Sequence, residues 1–290
     1  MMKKILFALI AAMVPVIMSA QAQIVTKKVK IEDFAERPTK VVLTGNAFYD
    51  SSIKEEVRKN WTISPYEFCS LDEFNSLKTD GSYYFLLNVK GQFRREAEPG
   101  LEFLSVVKGG KDAEEGINKM LELVTFPYAA ADSPTGRETL FLPFILNIMQ
   151  AHILASQEKD IVAYGSLGSY SNNLSKIGKK TVLLLDEDMS AEVTPVVRRL
   201  YFIKGVEMTD EDTIDDCVID HNPDTVVSYV VVPSNAHPGS FCYKMLIDTG
   251  TGELLYFRKH RLTKKVGPGF LLEDIKRIAE YKNKELHHIV

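Results

Sequence analysis

The feature that most constrains the fold is an internal repeat. Shifting the sequence by 140 residues lays Lys40 to Lys90 on Lys180 to Val230 without a gap, and nine of 51 positions are identical. The apolar pattern is kept more closely than the identities, so that Trp61 falls on Tyr201 while the polar residues differ. Self-similarity of this kind predicts two units that are built from the same series of elements.

Each copy is predicted to alternate strands and helices. Short apolar runs such as Thr181 to Leu185 are typical of strands in a parallel sheet that is buried between helices. The predicted strands of the first copy are residues 40–44, 63–68, 83–89 and 101–108, and its helices are residues 50–60, 71–79 and 112–124. Those of the second copy are strands 181–185, 203–208, 225–232, 241–248 and 254–259, and helices 190–200, 210–219 and 271–282.

The two copies are predicted to end differently. "DTGTGEL", residues 248–254, is a hairpin turn before a return strand, because Gly250 and Gly252 permit a positive φ. In the first copy, residues 112–124 instead carry apolar side chains at helical spacing. This predicts a closing helix there and no return strand.

A long apolar segment lies between the copies. Thr139 to Ala155 reads as a helix, and it has two alternative environments, a membrane or the protein interior. Asn147, Gln150 and His152 favour a buried helix that joins the modules, because a membrane tolerates such side chains poorly. "YGSLGSYSNN", residues 164–173, is predicted to be a flexible linker.

These patterns predict an α/β fold. We expect two tandem three-layer α/β modules with mixed sheets and an antiparallel hairpin edge, joined by the long apolar helix. The predicted divisions are a signal peptide at 1–22, a first module at 23–136, the helix and linker at 137–178, and a second module at 179–290.

The order of elements in the second copy, ending in a strand, "DTGTGEL" and a helix, resembles the α/β modules of the TolB N-terminal and curli-secretion type. Those modules combine βα units with a hairpin that often carries an Asp-x-x-x-Gly-Glu turn. The resemblance implies a periplasmic binding or assembly module. It transfers no functional residue, because such modules have no fixed catalytic motif.

The N-terminus predicts export. Lys3 and Lys4 precede an apolar run from Ile5 to Met18, and Ala20-Gln21-Ala22 fits the small-x-small cleavage pattern. The run is shorter than the roughly 20 residues of a spanning helix, so we expect cleavage after Ala22. Removing residues 1–22 takes away two lysines and changes the formal net charge from -4 to -6. This acidity argues against a nucleic-acid partner.

"RKNWTISPYEFCSLDEF", residues 58–74, is better explained as scaffold than as a reactive site. In the repeat Trp61 becomes Tyr201 and Cys69 becomes Thr209, so the shared requirement is packing. Ser70 and Glu73 are spaced as a helix capping box, and Thr209 to Asp212 repeats it in a weaker form. The three cysteines are read as buried free thiols, with a Cys217–Cys242 bridge as the alternative.

Ligand-end candidates lie after the first strand of each copy, where open α/β sheets bind ligands. In the second copy these are Asp186 and Asp188, whose carboxylates suit a hard cation. The alternative is a solvated turn in which Asp188 caps the next helix. Asn46 holds the corresponding place in the first copy. No nucleophile elbow, phosphate loop or zinc motif is present, so no catalytic residue, cofactor or metal is assigned.

The sequence therefore favours an exported, non-catalytic binding or assembly protein of the bacterial cell envelope. Its partner would be a protein or a glycan, in the periplasm or outside the cell, with no membrane span in the mature chain. The rival is a secreted hydrolase whose catalytic residues are scattered in sequence. A carboxylate pair or a Ser/His/Asp group in a deep pocket would favour the hydrolase.

Overall fold

The computed structural model describes residues 17–19, 31–93, 96, 98–133, 135–159, 162, 167–202 and 204–287. The predicted signal peptide lies outside the described residues, apart from residues 17–19. The described chain forms two mixed α/β modules in tandem, as the sequence predicts.

The first module is built on one mixed sheet with the strand order β3-β2-β4-β5-β6. Its central strands are parallel, and the last two run antiparallel to their neighbours. A short strand, β1, pairs in parallel with the far end of β4. The strands are β1 (Ile17–Ser19), β2 (Thr39–Val42), β3 (Tyr66–Cys69), β4 (Tyr84–Gln92), β5 (Leu101–Lys108) and β6 (Leu121–Ala130), and the helices are α1 (Ala47–Asn60), α2 (Leu71–Leu77) and α3 (Arg137–Glu158).

The second module repeats this topology. Its sheet has the order β8-β7-β9-β10-β11, with the same parallel and antiparallel pairs. The predicted fold class and the structural repeat are therefore confirmed. The strands are β7 (Thr181–Leu185), β8 (Val206–Thr209), β9 (Thr225–Val231), β10 (Phe241–Asp248) and β11 (Leu254–Arg261), and the helices are α4 (Pro195–Tyr201), α5 (Glu211–Ile219) and α6 (Leu272–His287).

The end of the first module differs from the prediction. Two 3-10 turns, Lys111–Glu115 and Ile117–Lys119, replace the expected helix, and β6 follows as the missing return strand. All ten residues of β6 are partly or fully buried, including the polar Glu122 and Thr125, so the strand shows no alternation of buried and exposed positions. The predicted helix, 112–124, overlaps both 3-10 turns and only the first four residues of β6, so its apolar spacing combines residues of different elements.

The long apolar helix α3 closes the first module, just as α6 closes the second. It packs beside α1, where the Gln150 amide donates to Asn60 O (2.9 Å) and accepts from Thr62 N (2.8 Å). By length and composition α3 could cross a membrane, but 61% of its most apolar 18-residue window is buried inside the protein. This burial is typical of a core helix.

The predicted linker at 164–173 is wrong for the part that the structure describes. Leu167–Ile177 is a 3-10 helix that runs along β11. Ser171 is buried and its hydroxyl donates to Phe257 O at 2.6 Å, while Asn173 donates to Leu254 O. These bonds use backbone carbonyls of β11, so the segment covers the edge of the second sheet.

The two modules share one hydrophobic core. One buried cluster extends from Ile31 to Phe257 and includes residues of both sheets, while a smaller cluster lies on the other face of the second sheet. Aromatic rings join the modules directly: Phe103 lies 5.8 Å from Tyr243, and Phe141 stacks on Tyr229 at 4.6 Å. The two modules are therefore joined by a continuous buried interior.

The register of the sheets corrects the alignment of the repeat. Val42 pairs with Cys69, and Leu185 pairs with Thr209. Since Cys69 and Thr209 are equivalent, Val42 corresponds to Leu185 and not to Val182. The ungapped alignment is correct at the second strand and is displaced by three residues at the first, because the connection between these strands, residues 186–205 in the second module, is three residues shorter than residues 43–65 in the first.

The predicted helix caps are confirmed in part. Ser70 Oγ accepts from Glu73 N at 3.1 Å, as in a capping box. The Glu73 carboxylate instead accepts from the Lys40 ammonium at 3.0 Å. In the second module the capping residue is Asp210, which accepts from Thr213 N, and not Thr209.

The structure excludes the Cys217–Cys242 bridge that the sequence allowed. All three cysteines are free and buried. Cys217 belongs to the shared core, which Tyr243 also joins. Cys242 precedes Tyr243 in β10 and so points to the other face, where its sulfur accepts from Gly269 N.

We expect thiol reagents to label none of the three cysteines in the native protein. Burial raises the pKa of Cys69 and of Cys242 to about 11, so the reactive thiolate is scarce as well as inaccessible. Labelling followed by mass spectrometry, in buffer and in denaturant, checks this. Rapid native labelling at any one cysteine would contradict it.

Candidate functional site

The structure separates Asp186 and Asp188. The Asp186 carboxylate is exposed and pairs with Arg198 Nη1 at 2.5 Å. Asp188 is buried, accepts two bonds of 3.3 Å from Arg137, and accepts from Ser228 Oγ at 2.6 Å. Asp188 caps no helix, since Thr194 caps α4. The two carboxylates hold different cationic partners, so they do not form a shared cation site.

Asn46 lies at the corresponding edge of the first sheet. It caps α1, and its side-chain oxygen accepts from Phe48 N and Tyr49 N at 3.1 and 3.2 Å. Asn46 also lines a cleft of about 640 Å³. Of the three candidates, it alone lines this cleft.

The cleft is a notch in the first sheet, and it arises from unequal strand lengths. The β2 strand ends at Val42, and its last pair with β4 joins Val41 to Leu86. The β4 strand continues to Gln92. The chain after β2 leads to α1 and the chain before β4 comes from α2, so the notch is the topological switch point where open α/β sheets bind ligands.

Polar groups line the side of the notch that faces α1. Asn88 and Lys90 share one face of β4 with Glu102, which is opposite Lys90 in β5. Glu102 accepts from Asn88 Nδ2 at 2.9 Å and lies 3.8 Å from Lys90 Nζ. An amide, a carboxylate and an ammonium thus converge within one wall.

Aromatic residues surround these polar groups. The ring of Tyr49 lies edge-on to that of Tyr128, 6.0 Å away, and Asn88 hydrogen-bonds the Tyr49 side chain. Burial raises the pKa of both tyrosines, so their hydroxyls stay protonated. Phe48 stands at the rim with 67% of its surface exposed. An exposed phenyl group beside a cleft offers a contact for an apolar ligand group.

The opposite wall of the notch is apolar. Leu87 and Val89 alternate with Asn88 and Lys90, so they face α2, together with Val42 and Leu71. Their neighbour on this face, Phe85, packs edge-on against Phe74 of α2 at 5.0 Å. The notch therefore offers apolar side chains on one side of β4 and polar side chains on the other.

The end of β6 and the start of α3 complete the cleft. The buried Glu138 carboxylate accepts from Thr135 N and Gly136 N, both at 3.2 Å, which fixes the turn into α3. Tyr128 in the lining also meets the second module, because its carbonyl accepts from the Tyr229 hydroxyl at 2.5 Å. This wall of the cleft is thus part of the contact between modules.

The second module has the same switch point, but a side chain of the first module fills it. Arg137, at the start of α3, reaches Asp188 beyond the end of β7 and donates to Ser228 O in β9 at 2.5 Å. Its guanidinium lies 5.5 Å from the rings of Phe141 and Tyr229. A cavity of about 530 Å³ remains between the modules at this point.

Apart from Asn46, sequence reasoning missed the polar and aromatic residues that line the notch. Asn88 and Lys90 lie at the end of β4, the predicted third strand, and polar residues at that place were a usable signal. Three further lining residues lie on other elements: Tyr49 on α1, Glu102 on β5 and Tyr128 on β6. The prediction had no β6, so it could not place Tyr128 at this edge.

Among the described residues, no group of three or more His, Cys, Asp or Glu side chains is arranged to hold a metal ion. A scan against protein-family models and searches of curated proteins and of solved structures found no match to this chain.

Proposed function

We propose that this chain is an exported binding or assembly protein of the bacterial cell envelope, and that its partner occupies the notch in the first sheet. The observation that carries the proposal is the cleft itself. Its volume falls within the range of roughly 300–1,000 Å³ that is usual for ligand sites, and it combines apolar walls with a few convergent polar groups.

The lining favours binding over hydrolysis. Glu138 is engaged by the backbone of its own turn, and Glu102 by Asn88 and Lys90. Neither carboxylate is positioned against a neighbouring nucleophile or base, as a catalytic pair requires. Phe48 at the rim is suited to contact with a partner.

The proposed export and location of the protein depend on its sequence alone. The positive region, the apolar run and the cleavage pattern of residues 1–22 support a periplasmic or extracellular mature chain. The formal charge of -6 on that chain supports a partner other than nucleic acid, and we propose no membrane span in it. The proposed partner is a protein of the envelope.

The proposal is tested by photocrosslinking in cells that make the protein. The full chain carries p-benzoylphenylalanine in place of Phe48, and a control chain carries it in place of Leu200, which is 66% exposed on α4. We expect a discrete protein adduct from position 48 and none from position 200, as read by gel shift and mass spectrometry.

Three outcomes would contradict the proposal. An adduct from position 200 alone would place the partner elsewhere, and a glycan adduct from position 48 would change its class. Turnover of an envelope polymer by the purified full chain, abolished by Glu102→Gln, would favour the hydrolase.

A further inference from the structure

We propose that the notch binds an extended segment of a partner polypeptide, which pairs in parallel with β4 as an added strand. This inference rests on the proposed binding function and specifies the ligand. A polypeptide in β conformation is recognised through its backbone, with side-chain pockets adding selectivity.

The backbone of β4 points into the notch. Tyr84 N donates to Pro38 O at 3.1 Å, toward β2. Because backbone groups alternate along a strand, the even-numbered residues Leu86, Asn88 and Lys90 direct their N–H and C=O groups to this same side, and the odd-numbered ones pair with β5. The β2 strand ends beside Leu86, so it does not reach Lys90.

A short strand of this chain already takes that place. Ile17–Ser19 pairs in parallel with residues 90–92, with Ile17 opposite Lys90. These three residues belong to the predicted signal peptide. Cleavage after Ala22 would remove them together with their pairing to Lys90, and a strand edge without a partner strand is a template for pairing with another chain.

The walls of the notch suit a strand with two different faces. A strand added beside β4 would direct alternate side chains toward Asn88 and Glu102 on one face and toward Leu87 and Val89 on the other. We therefore expect a segment in which polar and apolar residues alternate. A glycan would use the side chains of the cleft and would not need the backbone of Lys90.

The test distinguishes the contribution of the Lys90 backbone N–H to binding from that of its side chain. Lys90→Pro and Lys90→Ala both remove the ammonium, but only proline removes the N–H. Proline is tolerated at a strand edge whose N–H is not used within the sheet, so both variants should melt at similar temperatures. Both buried clusters begin at Ile31 or later, so a chain that starts at Gln23 keeps both cores.

The probe is a fluorescein-labelled peptide of residues 14–21, VPVIMSAQ, read by fluorescence anisotropy with the chain 23–290. We expect saturable binding that Lys90→Pro weakens about tenfold relative to Lys90→Ala, the loss of one hydrogen bond that leaves its acceptor unsatisfied. The same peptide with Met18→Pro should bind the unaltered chain at least tenfold more weakly, since Met18 N–H faces β4 in the parallel ladder.

Equal affinities of the two Lys90 variants, or no binding of the peptide, would overturn strand addition. If Lys90→Pro does not fold, the Met18→Pro peptide alone decides, and equal binding of both peptides is then the contradicting result. A protein adduct at position 48 that persists in Lys90→Pro would keep the binding function while rejecting the added strand.

Discussion

Arg137→Ala is expected to lower the free energy of unfolding by about 3–5 kcal/mol. The side chains of Arg137 and Asp188 are 11% and 6% exposed, so the change leaves a carboxylate buried without its cation. It also removes the bond to Ser228 O and the packing of the guanidinium between Phe141 and Tyr229. Removing one partner of a buried pair costs more than the pair contributes to stability.

Urea denaturation checks this prediction, followed by the fluorescence of Trp61, the single tryptophan, and by circular dichroism. The matched control is Arg198→Ala, which breaks an ion pair whose aspartate, Asp186, is 71% exposed. Exposed pairs contribute about 0–1 kcal/mol, so the control should remain close to the wild type. Equal losses in the two variants would mean that the Arg137–Asp188 pair is not buried in solution.

The Arg137 result also bears on how the modules are joined. Because α3 is part of the first module and Asp188 of the second, the pair holds the two sheets together at their carboxyl edges. We expect the two probes to follow one transition in the wild type, since one buried cluster extends through both modules. A transition of Trp61 that is separate from the loss of β structure would indicate that the cores unfold independently.

The sequence was sufficient for the fold class because the succession of strands and helices along the chain follows from local signals. Buried parallel strands read as apolar runs, and caps such as Ser70 mark where helices start. It failed at β6 because this strand is buried on both faces and lacks alternation, and because the apolar residues of 112–124 belong to two 3-10 turns and the start of β6. It failed at residues 167–173 because small polar residues resemble a linker until their hydrogen bonds to β11 are known.

The sequence predicted which edge of each sheet would carry a site, but not the shape of the cleft or most of the residues that line it. The rule that ligands bind at the carboxyl edge of an α/β sheet identified Asn46 and Asp188 correctly as residues of such edges. It did not predict that Arg137 fills the edge of the second sheet, because that contact joins residues of two modules. Nor did it predict the notch, which depends on where β2 ends relative to β4.

The single tryptophan illustrates how a residue that looks reactive in sequence serves the core. Trp61 ends α1 and is 4% exposed. Its indole N–H donates to Ser64 Oγ at 2.9 Å, and its ring lies edge-on to Phe34 at 6.4 Å. It does not line the notch. The equivalent Tyr201 is only partly buried and lies 5.7 Å from Lys276 Nζ.

Trp61→Ala should therefore destabilise the protein by about 3–5 kcal/mol, the usual cost of deleting a large buried aromatic side chain. Tyr201→Ala should cost roughly 1–2 kcal/mol, because less of its ring is removed from water. Urea denaturation of both variants, monitored by circular dichroism because Trp61→Ala lacks tryptophan, compares them directly.

Photocrosslinking of the partner from position 48 should be unchanged in Trp61→Ala at a temperature where this variant stays folded. If melting were unaltered and capture were lost, Trp61 would be a contact residue and its burial in the core would be wrong.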